Sequence, residues 1–112
     1  WVAGFSFGAW IAMQLLMRRP EINGFVSVSP PANMRDFSFL APCPSSGLIV
    51  HGDKDNIASF DSTKILVEKL QKQKKVDIKF KPIKGADHFY ENYSPELEES
   101  IKSYINSFID NN

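Results

Sequence analysis

Residues Gly4-Phe5-Ser6-Phe7-Gly8 fit the pattern G-x-S-x-G, which demands one local architecture: a strand, a strained turn and a helix. In such a turn the serine hydroxyl stands clear of its own backbone, where it can attack a carbonyl. The flanking glycines are expected to let strand and helix approach so closely that a Cβ on either side would clash. The pattern is short, so its context decides. Trp1-Val2-Ala3 reads as the end of a buried strand. Residues 9–18 read as a helix, with Ala9, Ala12, Leu15 and Leu16 at helical spacing.

Two more motifs follow at strand ends. Gly47-Leu48-Ile49-Val50-His51-Gly52 is a continuous apolar run, as expected of a strand covered on both faces of a parallel sheet. It breaks into Asp53-Lys54-Asp55, so a carboxylate follows a strand's C-terminal end, where open α/β sheets hold their ligands. Gly85-Ala86-Asp87-His88 follows a third apolar segment and puts an imidazole on another loop at the same edge. The chain order is Ser, Asp, His.

With GFSFG at 4–8, HGDKD at 51–55 and GADHF at 85–89, the sequence resembles the α/β-hydrolase superfamily over its whole length. The resemblance implies an α/β fold with a mostly parallel sheet flanked by helices. Members have several strands before the elbow, whereas this chain opens inside one and carries no initiator Met. The expectation is therefore a single partial domain over 1–112, the C-terminal half of the fold, with its N-terminal half missing. An exposed edge on its first strand, and little or no activity on its own, follow from that expectation.

Between the motifs, strands and helices alternate. Residues 24–29 read as a second strand, and 59–74 as a helix with Ile65, Leu66 and Leu70 facing inward. Val76, Ile78 and Phe80 alternate with Asp77, Lys79 and Lys81, which marks an edge strand. Ser94-Pro95 starts a closing helix, and Leu97, Ile101, Tyr104, Ile105 and Phe108 form its apolar stripe. Many α/β-hydrolases insert a lid in the connection at 30–46; its length here implies none.

The resemblance assigns the roles. Ser6 is the nucleophile, His88 the general base and then acid, and Asp55 the carboxylate that orients the imidazole. The family's Gly-x-x-Asp spacing selects Asp55 over Asp53, which is read as a loop-stabilising carboxylate; Asp87 is expected to point away from His88. The backbone N–H of Phe7 is one oxyanion donor. Phe5, Phe39 and Phe89 are read mainly as packing, and as candidates for lining an apolar acyl pocket. His51, Asp53 and Asp55 alternate as H-x-D-x-D, but too few ligands accompany them for a metal site. His51 reads as a hydrogen-bonded histidine at a strand end, and no metal or cofactor is expected. Cys43 sits among prolines without a base beside it and is not read as a nucleophile.

Composition narrows the partners. Thirteen basic and thirteen acidic residues cancel, which argues against nucleic acid or an anionic membrane. The cluster at 69–75 reads as a solvated helix end. The single cysteine suits a reducing cytosol, and a cytoplasmic location is the expectation. The reading that results is a small lidless serine hydrolase acting on a carboxylic ester or thioester through an acyl-enzyme, with a small-molecule acyl substrate as partner and a homo-oligomer left open. A serine peptidase of the same superfamily and a non-catalytic scaffold or binding protein are the alternatives.

Overall fold

The apolar runs pair side by side. In the computed structural model, which describes residues 1–40 and 42–110, four parallel strands lie in the order β1 (Val2–Phe5), β2 (Phe25–Val28), β3 (Gly47–Gly52) and β4 (Ile78–Ile83). Three helices connect or follow them: α1 (Phe7–Arg18), α2 (Phe60–Gln71) and α3 (Ser94–Asp110). Phe5 lies opposite Val28, Val28 opposite Val50, and Val50 opposite Lys81. The strands therefore end together, and the segments that follow β1, β3 and β4 emerge at one sheet edge.

Period-2 alternation divides the core into two layers. Phe25, Ile49 and Ile78 face one way and pack with Met13 and Leu16 of α1 and Val67 and Leu70 of α2. Val26, Val28, Leu48 and Val50 face the other way, with Ile83, Ala86 and Tyr90; Leu97, Ile101 and Tyr104 of α3 pack against them. Both layers cover β2 and β3, whose every residue is buried, as their unbroken apolar sequences require. The edges differ. β4 exposes Lys79 and Lys81, as its alternating charges suggest. The other edge, β1, alternates half-buried and exposed residues, and an apolar groove of about 670 Å³ runs between it and α3, lined by Trp1, Phe5, Val28, Leu97 and Ile101 among others.

Several boundaries and faces depart from the sequence reading. α1 begins at Phe7, directly after the turn. Its buried stripe is Ala9, Ala12, Met13 and Leu16, while Leu15 is exposed. In α2 the inward stripe is Thr63, Val67 and Leu70, at i, i+4 and i+7. Leu66 is half-buried at its margin and Ile65 points outward, 57% exposed. In both helices apolar residues flank the stripe, and only the packing partner decides which faces inward. Ser59 caps α2 by accepting from the Ser62 N–H at 3.1 Å. β4 starts at Ile78, leaving Val76 half-buried before it. The connection at 30–46 consists of turns and a 3-10 turn at Ser38–Leu40; residue 41 within it lies outside the described residues.

β1 and α1 meet closely at the turn between them, and one glycine makes that possible. A Cβ on Gly4 would overlap the carbonyl of Gly8 and lie 2.7 Å from the Ala9 nitrogen. Gly8 corrects the symmetrical expectation. A Cβ there meets nothing within 4 Å, because it projects from the second residue of α1 away from the strand. Gly4→Ala is expected to destabilise by about 1–3 kcal/mol, the usual range for overpacking. Gly8→Ala in helical backbone is expected to be neutral or to stabilise by up to about 1 kcal/mol. Denaturant unfolding of both variants checks this; equal losses would show the two glycines to be constrained alike.

Candidate active site

Ser6 occupies the turn between β1 and α1 at φ 56° and ψ −122°, a region that costs a non-glycine residue on the order of 1–3 kcal/mol. Backbone bonds hold it there: its N–H donates to Val28 at 2.8 Å, and its carbonyl accepts from Ala9 at 2.9 Å. Although it stands at the N-cap of α1, its hydroxyl makes no capping bond. Instead Oγ lies 2.8 Å from His88 Nε2. Phe7 is the first residue of α1, so its N–H has no carbonyl one turn back to donate to. That donor and the helix dipole favour negative charge beside Ser6.

Asp55 reaches the same place from the loop after β3. Its side chain is fully buried, and a buried carboxylate needs donors. Oδ1 accepts from the N–H groups of Ile57 and Ala58, both at 2.8 Å. Oδ2 lies 2.7 Å from His88 Nδ1 and 3.2 Å from His51 Nε2. A carboxylate oxygen only accepts, so His88 Nδ1 carries a proton. In the neutral ring Nε2 is then the acceptor, and the Ser6 hydroxyl donates to it. Ser6, His88 and Asp55 form one hydrogen-bonded series in which a proton can pass from the serine to the imidazole.

The His88 loop is fastened on both sides. Lys54 N–H donates to the Ala86 carbonyl at 3.0 Å, and Asp53 Oδ1 accepts from Gly85 N–H at 2.7 Å. Asp53 thus ties the two loops together without joining the series. Asp87 accepts from Glu91 N–H at 2.9 Å and turns the chain after His88. Two residues beyond His88, Tyr90 is buried, and its OH lies 2.8 Å from Ser29 Oγ. Burial pushes its phenol up to about 12, against the opposing effect of the Ser29 hydrogen bond. Ser29 at φ 51° and Tyr90 at φ 55° both have left-handed backbone, so this latch joins two strained positions. The sequence gives no motif for it; its one trace is a tyrosine whose hydroxyl needs a partner once buried.

The aromatic residues separate into two groups. Phe5 and Phe89 are exposed and pack beside the His88 ring, with centroids 5.3 and 5.0 Å from it and 6.2 Å from each other. Phe39 does not join them. It stacks on Phe37 at 6.1 Å and packs against the core under α1 and α2, because Asp36 Oδ1, accepting from Ser38 N–H at 2.9 Å, turns the chain inward there. Phe7 pairs with Trp10 at 5.4 Å, under the Arg35 guanidinium. Cys43 is buried, its thiol 3.3 Å from the Ser45 carbonyl, and burial pushes that thiol up, away from the thiolate a nucleophile needs. Among the described residues no group of three His, Cys, Asp or Glu side chains is disposed to hold a metal, and no helix is long and apolar enough to cross a membrane.

The sequence matches the model of the dienelactone hydrolase family over residues 1–108. An uncharacterized protein of Rickettsia prowazekii (strain Madrid E) is 53% identical over 108 residues, covering 93% of this chain and 45% of that protein. A protein of unknown function from Agrobacterium tumefaciens, described as a candidate α/β hydrolase, superposes with a TM-score of 0.97 at 52% identity, over 99% of this chain and 51% of that one. A Xanthomonas campestris protein described as an α/β serine hydrolase without lid gives a TM-score of 0.77 at 26% identity, over 95% and 46% of the two chains. The parallel sheet and its helices are those of an α/β-hydrolase fold, and the chain spans about half the length of these relatives.

Burial pushes the His51 imidazole below the ordinary histidine range, against the opposing pull of the Ala58 carbonyl and Asp55. The unfolded chain titrates this group near its ordinary value of about 6.5. Below that pH the unfolded state binds a proton that the folded state refuses, so stability is full above about 6.5 and falls as pH drops toward the lowered folded value. Unfolding free energy is expected to decline as pH falls below about 6.5, with a shallower decline in His51→Gln. Equal slopes in the two proteins would contradict this.

Proposed function

The chain belongs to the dienelactone hydrolase family, within the α/β-hydrolase superfamily, and on that premise we propose that it carries the catalytic centre of a serine hydrolase. The substrate is a small molecule with a carboxylic ester or thioester bond, and the route passes through an acyl-enzyme. The observation that supports this reading most is the continuous series from Ser6 Oγ to His88 Nε2 at 2.8 Å and from His88 Nδ1 to Asp55 Oδ2 at 2.7 Å. A serine hydroxyl at its ordinary acidity is a weak nucleophile until a base takes its proton, and this arrangement supplies one.

In the first half-reaction Ser6 Oγ attacks the acyl carbon while His88 Nε2 takes the hydroxyl proton. Asp55, buried and hydrogen-bonded to Nδ1, stabilises the imidazolium that forms. Negative charge grows on the carbonyl oxygen, and the Phe7 N–H at the start of α1 donates to it. His88 then returns its proton to the leaving oxygen or sulfur, which departs. In the second half-reaction His88 deprotonates water, which attacks the acyl group, and Ser6 leaves with the proton restored. Phe5 and Phe89, exposed and packed together beside His88, offer an apolar wall for a substrate. The strained Ser6 backbone keeps the hydroxyl from settling as a helix cap, so it remains available for attack.

In the intact protein, Ser6→Ala is expected to abolish ester hydrolysis and labelling by an organophosphonate probe. Labelling that persists at another residue would move the nucleophile. Asp55→Asn is expected to lower kcat by about 10⁴, the scale seen when the orienting carboxylate of such a series is lost. Asp53→Asn, which removes the charge but keeps a carbonyl oxygen to accept from Gly85 N–H, is expected to leave kcat near wild type. Steady-state kinetics on the folded variants compares them, and a larger loss for Asp53→Asn would reverse the assignment.

A further inference from the structure

Asp55 Oδ2 receives two imidazoles, and the mechanism above uses only one. The second, His51, has a fully buried side chain near the end of β3. Its Nε2 lies 2.8 Å from the Ala58 carbonyl and 3.2 Å from Asp55 Oδ2. The Ala58 carbonyl only accepts, so Nε2 carries a proton and donates it there, and the Asp55 carboxylate oxygen lies beside that N–H. Nδ1 is buried without a hydrogen-bond partner, and the Phe60 ring stands edge-on to the imidazole at 5.9 Å. A second proton, on Nδ1, would be buried unpaired. His51 is therefore a neutral ring with a fixed tautomer, donating through Nε2.

The placement of this ring differs from that of the donors on Asp55. Ile57 and Ala58, which hold Oδ1, belong to the same loop as Asp55, so they fix that oxygen only as firmly as the loop itself is held. His88 is the group to be positioned and supplies no independent reference. His51 belongs to β3, paired on one side with β2 and on the other with β4, and every residue of that strand is buried. Its N–H donates to the Ala58 carbonyl and so ties the far end of the loop to the sheet, with Nε2 3.2 Å from Oδ2.

We propose that His51 is a positioning residue for hydrolysis, whose Nε2–H anchors Ala58, the residue that holds Asp55 Oδ1, to β3 and thereby sets the placement of the Asp55 carboxylate and of the His88 ring against Ser6. The inference rests on the reading of Ser6, His88 and Asp55 as the catalytic groups. His51 does not touch substrate. Its loss acts on the step in which His88 moves a proton, so it lowers kcat and leaves KM nearly unchanged.

The experiment uses the intact protein and a chromogenic short-chain acyl ester, with three variants of His51. His51→Gln places an amide N–H near the position of Nε2. His51→Met fills the volume without a donor. His51→Asn keeps an amide too short to reach the Ala58 carbonyl, and replaces the Met variant if that fails to fold. Met or Asn is expected to lower kcat by about 10²-fold, the scale of a small misplacement of catalytic groups, with KM within about twofold. Gln is expected to recover most of kcat even where its thermal midpoint is as low as that of the other two. A folded Met or Asn variant with wild-type kcat would overturn the proposal, as would a folded Gln variant that loses as much as they do. Ser6→Ala, run alongside, separates the two levels. If it retains hydrolysis, the catalytic reading itself fails; if it is inactive while the folded Met or Asn variant keeps wild-type kcat, only the role of His51 fails.

Discussion

The carboxylate of Asp55 organises the sheet edge where the site lies. Buried completely, it carries a desolvation penalty of several kcal/mol unless hydrogen bonds repay it. Three N–H groups do so, two from its own loop and one from His88, with His51 Nε2 3.2 Å from Oδ2. To meet this requirement the loop after β3 must wrap the carboxylate, and the loop after β4 must bring an imidazole to it. Ser6 then finds the far side of that imidazole. The geometry that permits proton transfer and the geometry that satisfies a buried charge are the same.

Backbone strain is concentrated at this edge. Ser6, Ser29, Tyr90 and Asn92 all have positive φ without being glycine, and they sit just after β1, after β2 and on the His88 loop. Such conformations persist only where surrounding structure over-determines them. Here the fully buried strands β2 and β3 provide that support, through the Val28 carbonyl on Ser6, the Val50 carbonyl on Ser29 N–H, and the Ser29–Tyr90 latch. The interior is regular where it faces the helices and strained in the loops that build the site, as expected when stability and chemistry occupy different parts of one fold.

Sequence reading reached what short-range pattern encodes. The strained elbow at Ser6, the apolar run of β3 and the charged alternation of β4 each have a local physical cause, so the parallel sheet and its charged edge were legible. So was the grouping of Ser6, Asp55 and His88 at one edge, because parallel strands carry their C-terminal loops to the same side. Choices between neighbouring apolar residues were not legible. Leu15 against Met13, and Ile65 against Val67, differ only in what packs over them. Phe39 turned inward because of a side-chain bond from Asp36 that no periodicity signals. Gly8 fits the motif but meets no steric demand. The Ser29–Tyr90 latch joins residues 61 positions apart, and His51 meets Ala58 and Asp55 only once the loop after β3 is folded.

Covalent trapping tests the account most directly. Intact protein mixed with a slowly deacylating aryl ester, acid-quenched within the first turnover and digested, is to be read by mass spectrometry. The account predicts a burst of aryl alcohol equal to the enzyme present, with the acyl mass on the peptide that carries Ser6 and fragment ions placing it on that serine. An acyl group on any other residue, or a full burst with no acyl group on Ser6, would contradict it.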